Sequence, residues 1–180
     1  DNGPWSMFKE FGGVSGPLRG EKSTTWEGGE RVPCIVSWPG TISGTVSDQL
    51  MVNYDMYATF AKLTGSTFSK GQAIDSIDFS RHWLEGTSGE RTKHVYYFHQ
   101  PMAYRSGHHK LHYYTRSRTR EPNTGKREPS VFHENSLLFD LSTDLGEQKN
   151  LSVSHPKLVE RLKKEFEQAQ AAIRNWKPFH

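Results

Sequence analysis

Apolar residues recur at three- and four-residue spacing near the C-terminal end of the sequence, and no other feature limits the fold as strongly. The series is Leu158, Leu162, Phe166, Ala169, Ile173 and Trp176. This spacing predicts an amphipathic helix over residues 156–175, with Pro156 in its first turn. Because one helix cannot bury its own apolar stripe, we expect a sheet face to cover it.

The residues before this helix alternate between short apolar runs and turns. Four runs are strand candidates, namely residues 95–98, 102–105, 110–115 and 137–141. Ser106 and Gly107 stand where a hairpin would turn. The pattern predicts a small antiparallel sheet packed against the C-terminal helix, which is an α+β arrangement.

The pattern changes in the first part of the chain. Residues 31–38 form a short apolar run that ends at Pro-Gly, and we interpret them as a buried strand. Ser47 or Asp48 would cap a following helix that ends near Leu63, with Gly65 just after it. A strand followed by a helix is typical of an α/β fold, and one such unit makes only part of a sheet.

Composition excludes several classes of protein. No apolar run approaches the roughly 18 residues of a membrane span, and no segment has the pattern of a signal peptide. The net charge is +3, which equals the excess of five basic over two acidic residues within positions 116–129. A solvated loop or an anionic ligand explains so local an excess better than nucleic acid does.

Two clusters near the beginning of the sequence carry groups that suit anion chemistry. Asp1 and Asn2 place a carboxylate beside an amide oxygen, and both suit Ca²⁺ or Mg²⁺, although Asp-Asn-Gly is also a common turn. Residues 16–29 place Lys22 among small residues, which let a backbone approach a ligand closely. The phosphate-binding pattern GxxxxGK[ST] does not fit, because Glu21 stands where glycine is required.

These clusters resemble the second signature region of the type I, formylglycine-dependent sulfatases. The matching run is Asp-Asn-Gly, then Gly-Pro-Leu-Arg-Gly-x-Lys-x-Thr-Thr-Trp-Glu-Gly-Gly-x-Arg-Val-Pro. The resemblance continues in the family's order through residues 38–40, 75–79, 110–112, 138–147, 150–151 and 155–156, so it covers most of the chain. Residues 107–114 are most similar to the arylsulfatase A and N-acetylgalactosamine-6-sulfatase group.

The resemblance implies an alkaline-phosphatase-like fold and a sulfuric ester hydrolase that removes sulfate from a sulfated sugar, glycan or aryl ester. Residues 1–93 would be the incomplete end of the sulfatase α/β domain, and residues 94–180 the C-terminal subdomain. Asp1 and Asn2 would close a calcium site, with Mg²⁺ as the alternative ion, and Lys22 would contact the sulfate. A secreted, periplasmic or lysosomal location is typical of the family.

The family's nucleophile is a formylglycine made from cysteine in a Cys-x-Pro-x-Arg motif. Cys34 is the only cysteine here, and Ile-Val-Ser follows it without the proline and arginine. We therefore expect the nucleophile in an N-terminal region that precedes Asp1, and we expect the 180-residue chain alone to be inactive. Glu21 and Ser23 occupy positions that are often glycine in the family.

Other polar residues have two interpretations each. His112 could line the substrate pocket or be a surface histidine of the sheet. His99 and Arg105 flank the predicted hairpin and are candidate substrate contacts or plain loop residues. Glu27 and Arg31 are best explained as an ion pair that braces the loop.

The sequence also allows a different function. The chain could be a stand-alone, non-catalytic module that binds anions or glycans and derives from the sulfatase fold. The pairing of Asp1 and Asn2 with Lys22 favours the hydrolase, because a binding module has no need of a metal-site edge.

Overall fold

The computed structural model describes residues 2–68, 75–116 and 130–174, with the backbone alone for Ser6, Ile173 and Arg174. The chain divides into two compact units. One unit combines Asp1–Pro33 with Lys93–His180, and the other is Cys34–Thr92. The division at residue 93 between a sulfatase domain and a subdomain concerns the complete protein and stays a prediction.

A four-stranded antiparallel sheet forms the centre of the first unit. Its strands are β1 (Lys93–Phe98), β2 (Gln100–Ser106), β3 (His109–Thr115) and β4 (Val131–Asp140), and they lie side by side in chain order. Gly107 makes the predicted turn between β2 and β3 with φ of +60°, a backbone conformation that glycine adopts without strain. The predicted antiparallel sheet is confirmed.

One face of this sheet is covered by the C-terminal helix, α4 (Pro156–Arg174). Its residues Leu162 and Phe166 are buried, and the Phe166 ring stacks on Tyr104 with the ring centroids 5.7 Å apart. Among the described residues, the buried core cluster is Tyr104, Leu111, Leu138, Val159, Leu162 and Phe166. Each large apolar side chain buried here stabilises the fold by about 1.5–3 kcal/mol. The helix packed on the sheet is as predicted, and Trp176 lies outside the described residues.

The opposite face of the sheet is also buried. Lys110 and His112 point away from α4, since neighbouring residues of a strand face opposite sides. They lie under the N-terminal segment, in which Trp26 and the first three residues of the short helix α1 (Glu27–Glu30) are buried. The sheet is therefore sandwiched between the apolar face of α4 and a glycine-rich loop.

The described residues of the second unit include two helices, α2 (Asp55–Thr64) and α3 (Ser80–Glu85). The Asp55 carboxylate is fully buried, accepts hydrogen bonds from the backbone N–H groups of Val52 and Ile77, and pairs with Arg91. Gly65 ends α2 with φ of +69°, as predicted. The predicted cap at Ser47 or Asp48 is wrong, because Asp55 fixes the first turn of the helix instead.

The predicted strand at residues 31–38 is absent from the structure. These residues are irregular and mostly exposed, and within the described ranges no strand pairs with them. A strand gains its backbone hydrogen bonds from a neighbouring strand, so the apolar run by itself does not produce one. No helix in the described part of the chain is long and apolar enough to cross a membrane.

Candidate functional site

Lys22 occupies the second position of a tight turn made by Glu21–Thr24. The turn is closed by the Thr24 N–H, which donates to the Glu21 carbonyl at 3.0 Å, and the Thr24 hydroxyl donates to the same oxygen at 2.7 Å. Ser23, the third residue, has φ of +71°. This value is typical of a type II turn, which favours glycine at that position. The turn presents a half-buried lysine side chain.

The segment that follows Asp1 runs beside this turn. The Lys22 N–H donates to the Pro4 carbonyl at 2.9 Å, and the Gly3 N–H donates to the Gly29 carbonyl at 3.3 Å. The Lys22 ammonium group lies 5.0 Å from the centroid of the Trp5 ring. Backbone hydrogen bonds thus hold the candidate sulfate-binding lysine next to the segment that contains Asn2.

The glycine-rich loop packs backbone against backbone. A methyl group on Gly29 would overlap the carbonyl oxygens of Thr24 and Glu21, and one on Gly28 would lie 2.6 Å from the Arg19 carbonyl oxygen. Neither position has room for a side chain. The consecutive glycines therefore allow the loop to fold tightly around the Lys22 turn.

The metal-binding candidates are only partly described. Asn2 is exposed, and Asp1 lies outside the described residues. Within residues 2–68, 75–116 and 130–174, no group of three or more His, Cys, Asp or Glu side chains could hold a metal ion. The oxygen donors of Asp1 and Asn2 suit calcium, so this chain would provide one edge of a site and not a complete ligand set.

A buried ionic cluster fastens the loop to the sheet. The Lys110 ammonium group lies 2.7 Å from Glu27 Oε1 and 3.3 Å from Glu147 Oε1. The second Glu147 oxygen accepts the backbone N–H of Glu27 at 2.7 Å, and its first also contacts His112 Nε2 at 2.8 Å. Lys110, His112 and Glu147 have no exposed surface, and Glu27 has 1%. Glu27 belongs to the loop, Lys110 and His112 to β3, and Glu147 to the segment after β4.

The opposite charges in this cluster stabilise one another. Burial alone would raise the pKa of Glu27, but the charge and hydrogen bond of Lys110 outweigh it, and the pKa falls below its usual value. Burial works against the Lys110 ammonium group, while Tyr96 and the two carboxylates oppose this and raise its pKa. The Tyr96 hydroxyl also donates to Glu27 Oε1 at 3.1 Å. The cluster is thus an ammonium group between two carboxylates.

His112 is neutral in this environment. Burial lowers its pKa to about 4, although the Glu147 carboxylate opposes the change. Its Nδ1 atom has no hydrogen-bond partner in the described part of the chain, and its ring packs against Trp26 with centroids 4.4 Å apart. The neutral ring with its proton on Nε2 fits both observations, because Nε2 then donates to Glu147.

Acidification is expected to destabilise the first unit through His112. The imidazole has a pKa near 6.5 in the unfolded chain and about 4 in the folded one. Between these values the unfolded chain binds a proton that the folded chain does not, so stability falls as the pH drops from about 6.5 to 4. The loss would reach about 3 kcal/mol. Urea unfolding at several pH values measures it.

A His112→Gln variant separates this effect from other titrations. We expect a flatter pH dependence of the unfolding free energy between pH 4 and 6.5 in this variant. The exposed His108 provides the control, since His108→Gln should retain the slope of the original protein. An unchanged slope in His112→Gln would show that another group causes the pH dependence.

The other predicted substrate contacts lie in different surroundings. His99 is exposed, with φ of +60°, and packs edge-on against Phe98. Arg105 donates from Nε to the Gly107 carbonyl at 2.8 Å, and its guanidinium lies 3.9 Å from Glu27 Oε2. Their contact with substrate stays a prediction, as does that of Lys22 and the buried His112.

Sequence reasoning missed the partners of Glu27. It predicted a pair with Arg31, but Arg31 is exposed and Glu27 pairs with Lys110 and contacts Glu147. Positions 27, 110 and 147 are far apart in the chain, so no local spacing connects them. The only available signal was that Lys110 and His112 share one face of a strand.

Comparisons with known proteins agree with this fold and loop. A sulfatase family model matches residues 2–66, and a model of the C-terminal region of aryl-sulfatase matches residues 88–178. Arylsulfatase A of Bos taurus is 38% identical over 164 residues, which cover 84% of this chain and 32% of the relative. N-acetylgalactosamine-6-sulfatase of Homo sapiens is 32% identical, with 85% and 32% covered.

A solved structure gives the same result. The PsFucS1 sulfatase from Pseudoalteromonas sp. superposes with a TM-score of 0.86 at 26% identity, covering all of this chain and 37% of that one. The fold and loop are those of a sulfatase C-terminal region. The chain belongs to the sulfatase family, and it spans about a third of the length of these relatives.

Proposed function

We propose that this chain forms one side of the catalytic centre of a sulfuric ester hydrolase acting on a sulfated saccharide or aryl sulfate ester. One observation carries the proposal. The backbone hydrogen bond from Lys22 to Pro4 brings the lysine turn against the segment that contains Asn2. A cation-binding edge and a sulfate-binding ammonium group would then lie on neighbouring segments.

Each group has a defined chemical task in this proposal. The Lys22 ammonium group offsets negative charge on the sulfuryl oxygens as the ester bond breaks, an effect that is large where charge develops. A calcium ion, when bound, would offset charge on the same group of oxygens. Asp1 and Asn2 would hold it from this side, together with ligands from the N-terminal region of the full-length enzyme. A formylglycine in that region is the proposed nucleophile.

Scaffold residues explain how the loop keeps its shape. Glu27 contacts Glu147 and Lys110, so the end of the loop is attached to the sheet through buried charges. The Arg19 guanidinium packs 3.7 Å above the Trp26 ring and donates to the Glu147 carbonyl at 2.8 Å. These contacts restrain the loop on both sides of Lys22, which favours a preorganised site.

The relatives favour the hydrolase over the non-catalytic binding module. They are an arylsulfatase A and an N-acetylgalactosamine-6-sulfatase, and the similarity extends across both ends of the chain. By analogy with the family we propose a secreted, periplasmic or lysosomal location for the full-length protein.

The isolated 180-residue chain is expected not to hydrolyse an aryl sulfate. Its one cysteine, Cys34, is exposed and lacks the motif for formylglycine formation. The full-length enzyme, assayed beside it, should be active. Turnover by the pure chain that persists in Cys34→Ser would contradict the proposal, and turnover that disappears in this variant would make Cys34 the nucleophile.

A further inference from the structure

Arg116 makes an unusual contact with the Lys22 turn. It follows the last residue of β3, and only 8% of its surface is exposed. Its guanidinium Nη1 donates to the Ser23 carbonyl at 3.2 Å, although 93 positions separate the two residues. The guanidinium carbon also lies 3.8 Å from the centroid of the Phe98 ring, within the range of a cation–π contact. Arg116 is thus held by the sheet and reaches the loop.

Ser23 is the residue of the turn that most needs such support. Its φ of +71° is adopted freely by glycine but is unfavourable for a residue with a Cβ atom. Serine is more stable at this position of a type I turn, which has φ near −90°. The two turn types differ by a flip of the peptide group between the second and third residues, here Lys22 and Ser23.

We propose that Arg116 is a positioning residue for Lys22. By binding the Ser23 carbonyl, which the flip between the two turn types leaves in place, it anchors the end of the turn to the sheet and so fixes the position from which the lysine reaches the sulfate. The proposal rests on the sulfate-binding role proposed for Lys22. It also assigns a task to the first residue of the basic run 116–129, whose remaining positions lie outside the described residues.

The chemistry of an arginine side chain suits the contact with the Ser23 carbonyl. A turn with serine in place of glycine is strained, and a contact from the sheet that fixes its last peptide group restrains the turn as a whole. A guanidinium packed on an aromatic ring is well placed for this task, because its planar group is preorganised and loses little freedom on donating a hydrogen bond. A Ser23→Gly substitution relieves the strain but leaves the carbonyl in place, so it should not make Arg116 dispensable.

The test uses four variants of the full-length enzyme: Arg116→Ala, Ser23→Gly, the double variant and Arg81→Ala. Arg81 is an exposed arginine of the second unit and serves as the matched control. We expect Arg116→Ala to lower kcat/KM about 10-fold at a temperature where all variants are folded. Ser23→Gly should stay within about threefold of the original enzyme, the double variant should be about as defective as Arg116→Ala, and Arg81→Ala should change nothing.

The outcomes distinguish the positioning role from others. Normal kcat/KM in Arg116→Ala, or a double variant that recovers to the level of Ser23→Gly, would overturn the proposal. A lowered melting temperature with normal kcat/KM would assign Arg116 a structural role only, and would also overturn it. If Arg116→Ala does not fold, Arg116→Lys replaces it with the same expected loss.

Lys22→Ala in the same assay tests the proposed function separately. A defect in Lys22→Ala with normal activity in Arg116→Ala would overturn the positioning role alone. Normal activity in Lys22→Ala would overturn the role of Lys22 and the positioning proposal with it.

Discussion

Replacing Lys22 with alanine is expected to lower kcat/KM of the full-length sulfatase by about 100-fold or more, a loss of roughly 3 kcal/mol of transition-state stabilisation. The lysine is half-buried in a loop whose backbone is fixed on both sides, so its charge acts from a preorganised position. Lys22→Arg should restore activity only in part, because a planar guanidinium does not replace a compact ammonium group. Steady-state kinetics on each variant measure both effects.

A thermal melt of each variant separates catalysis from folding. The melting temperature should change little in Lys22→Ala, since a loop lysine contributes little to packing. Lys62→Ala, which removes an exposed lysine from α2, is the matched control and should leave kcat/KM unchanged. Near-normal kcat/KM in Lys22→Ala would remove this residue from the site. A large drop in melting temperature would instead show that the lysine braces the loop.

The parts of the fold that could be predicted have regular periodicity. The stripe from Leu158 to Ala169 predicts α4, and the alternating runs around Gly107 predict the hairpin of β2 and β3. Both patterns arise because residues close together in the sequence place their apolar side chains on one buried face. The run at residues 31–38 lacks this property, because it needs a partner strand and the described residues contain none.

The polar face of the sheet could not be predicted in the same way. Lys110 and His112 alternate with apolar residues, a pattern that usually indicates one exposed face. Both are fully buried, because the loop brings Glu27 and the segment after β4 brings Glu147 to the same place. Such partners are determined by the tertiary fold and not by local spacing.

The candidate site was predicted in part for a comparable reason. Lys22 and Asn2 could be named from a motif, while the type II turn at Ser23 and the reach of Arg116 depend on backbone conformation and long-range contact. A serine at a position that favours glycine is visible in the sequence, but the residue that contacts its carbonyl is not.

Replacing Lys110 with alanine is expected to destabilise the protein by about 3–5 kcal/mol, the usual effect of removing one partner of a buried ionic group. The substitution leaves the carboxylates of Glu27 and Glu147 buried without the ammonium group that lies 2.7 and 3.3 Å from them. The melting temperature should fall by about 10 °C or more for a chain of this size. Urea unfolding and a thermal melt of the 180-residue chain measure the two quantities.

Two further variants test whether the loss comes from unpaired charge. Lys93→Ala removes a lysine that is 58% exposed and pairs with Glu165 at 3.1 Å, and it should cost less than about 1 kcal/mol. In Glu27→Gln combined with Lys110→Ala, one carboxylate is removed together with the ammonium group, so part of the stability lost in Lys110→Ala should return. If the double variant were no more stable than Lys110→Ala, lost packing and not unpaired charge would explain the destabilisation. The destabilisation of Lys110→Ala should also be smaller at pH 5 than at pH 7, because carboxylates that have lost their partner take up protons more readily as the pH falls.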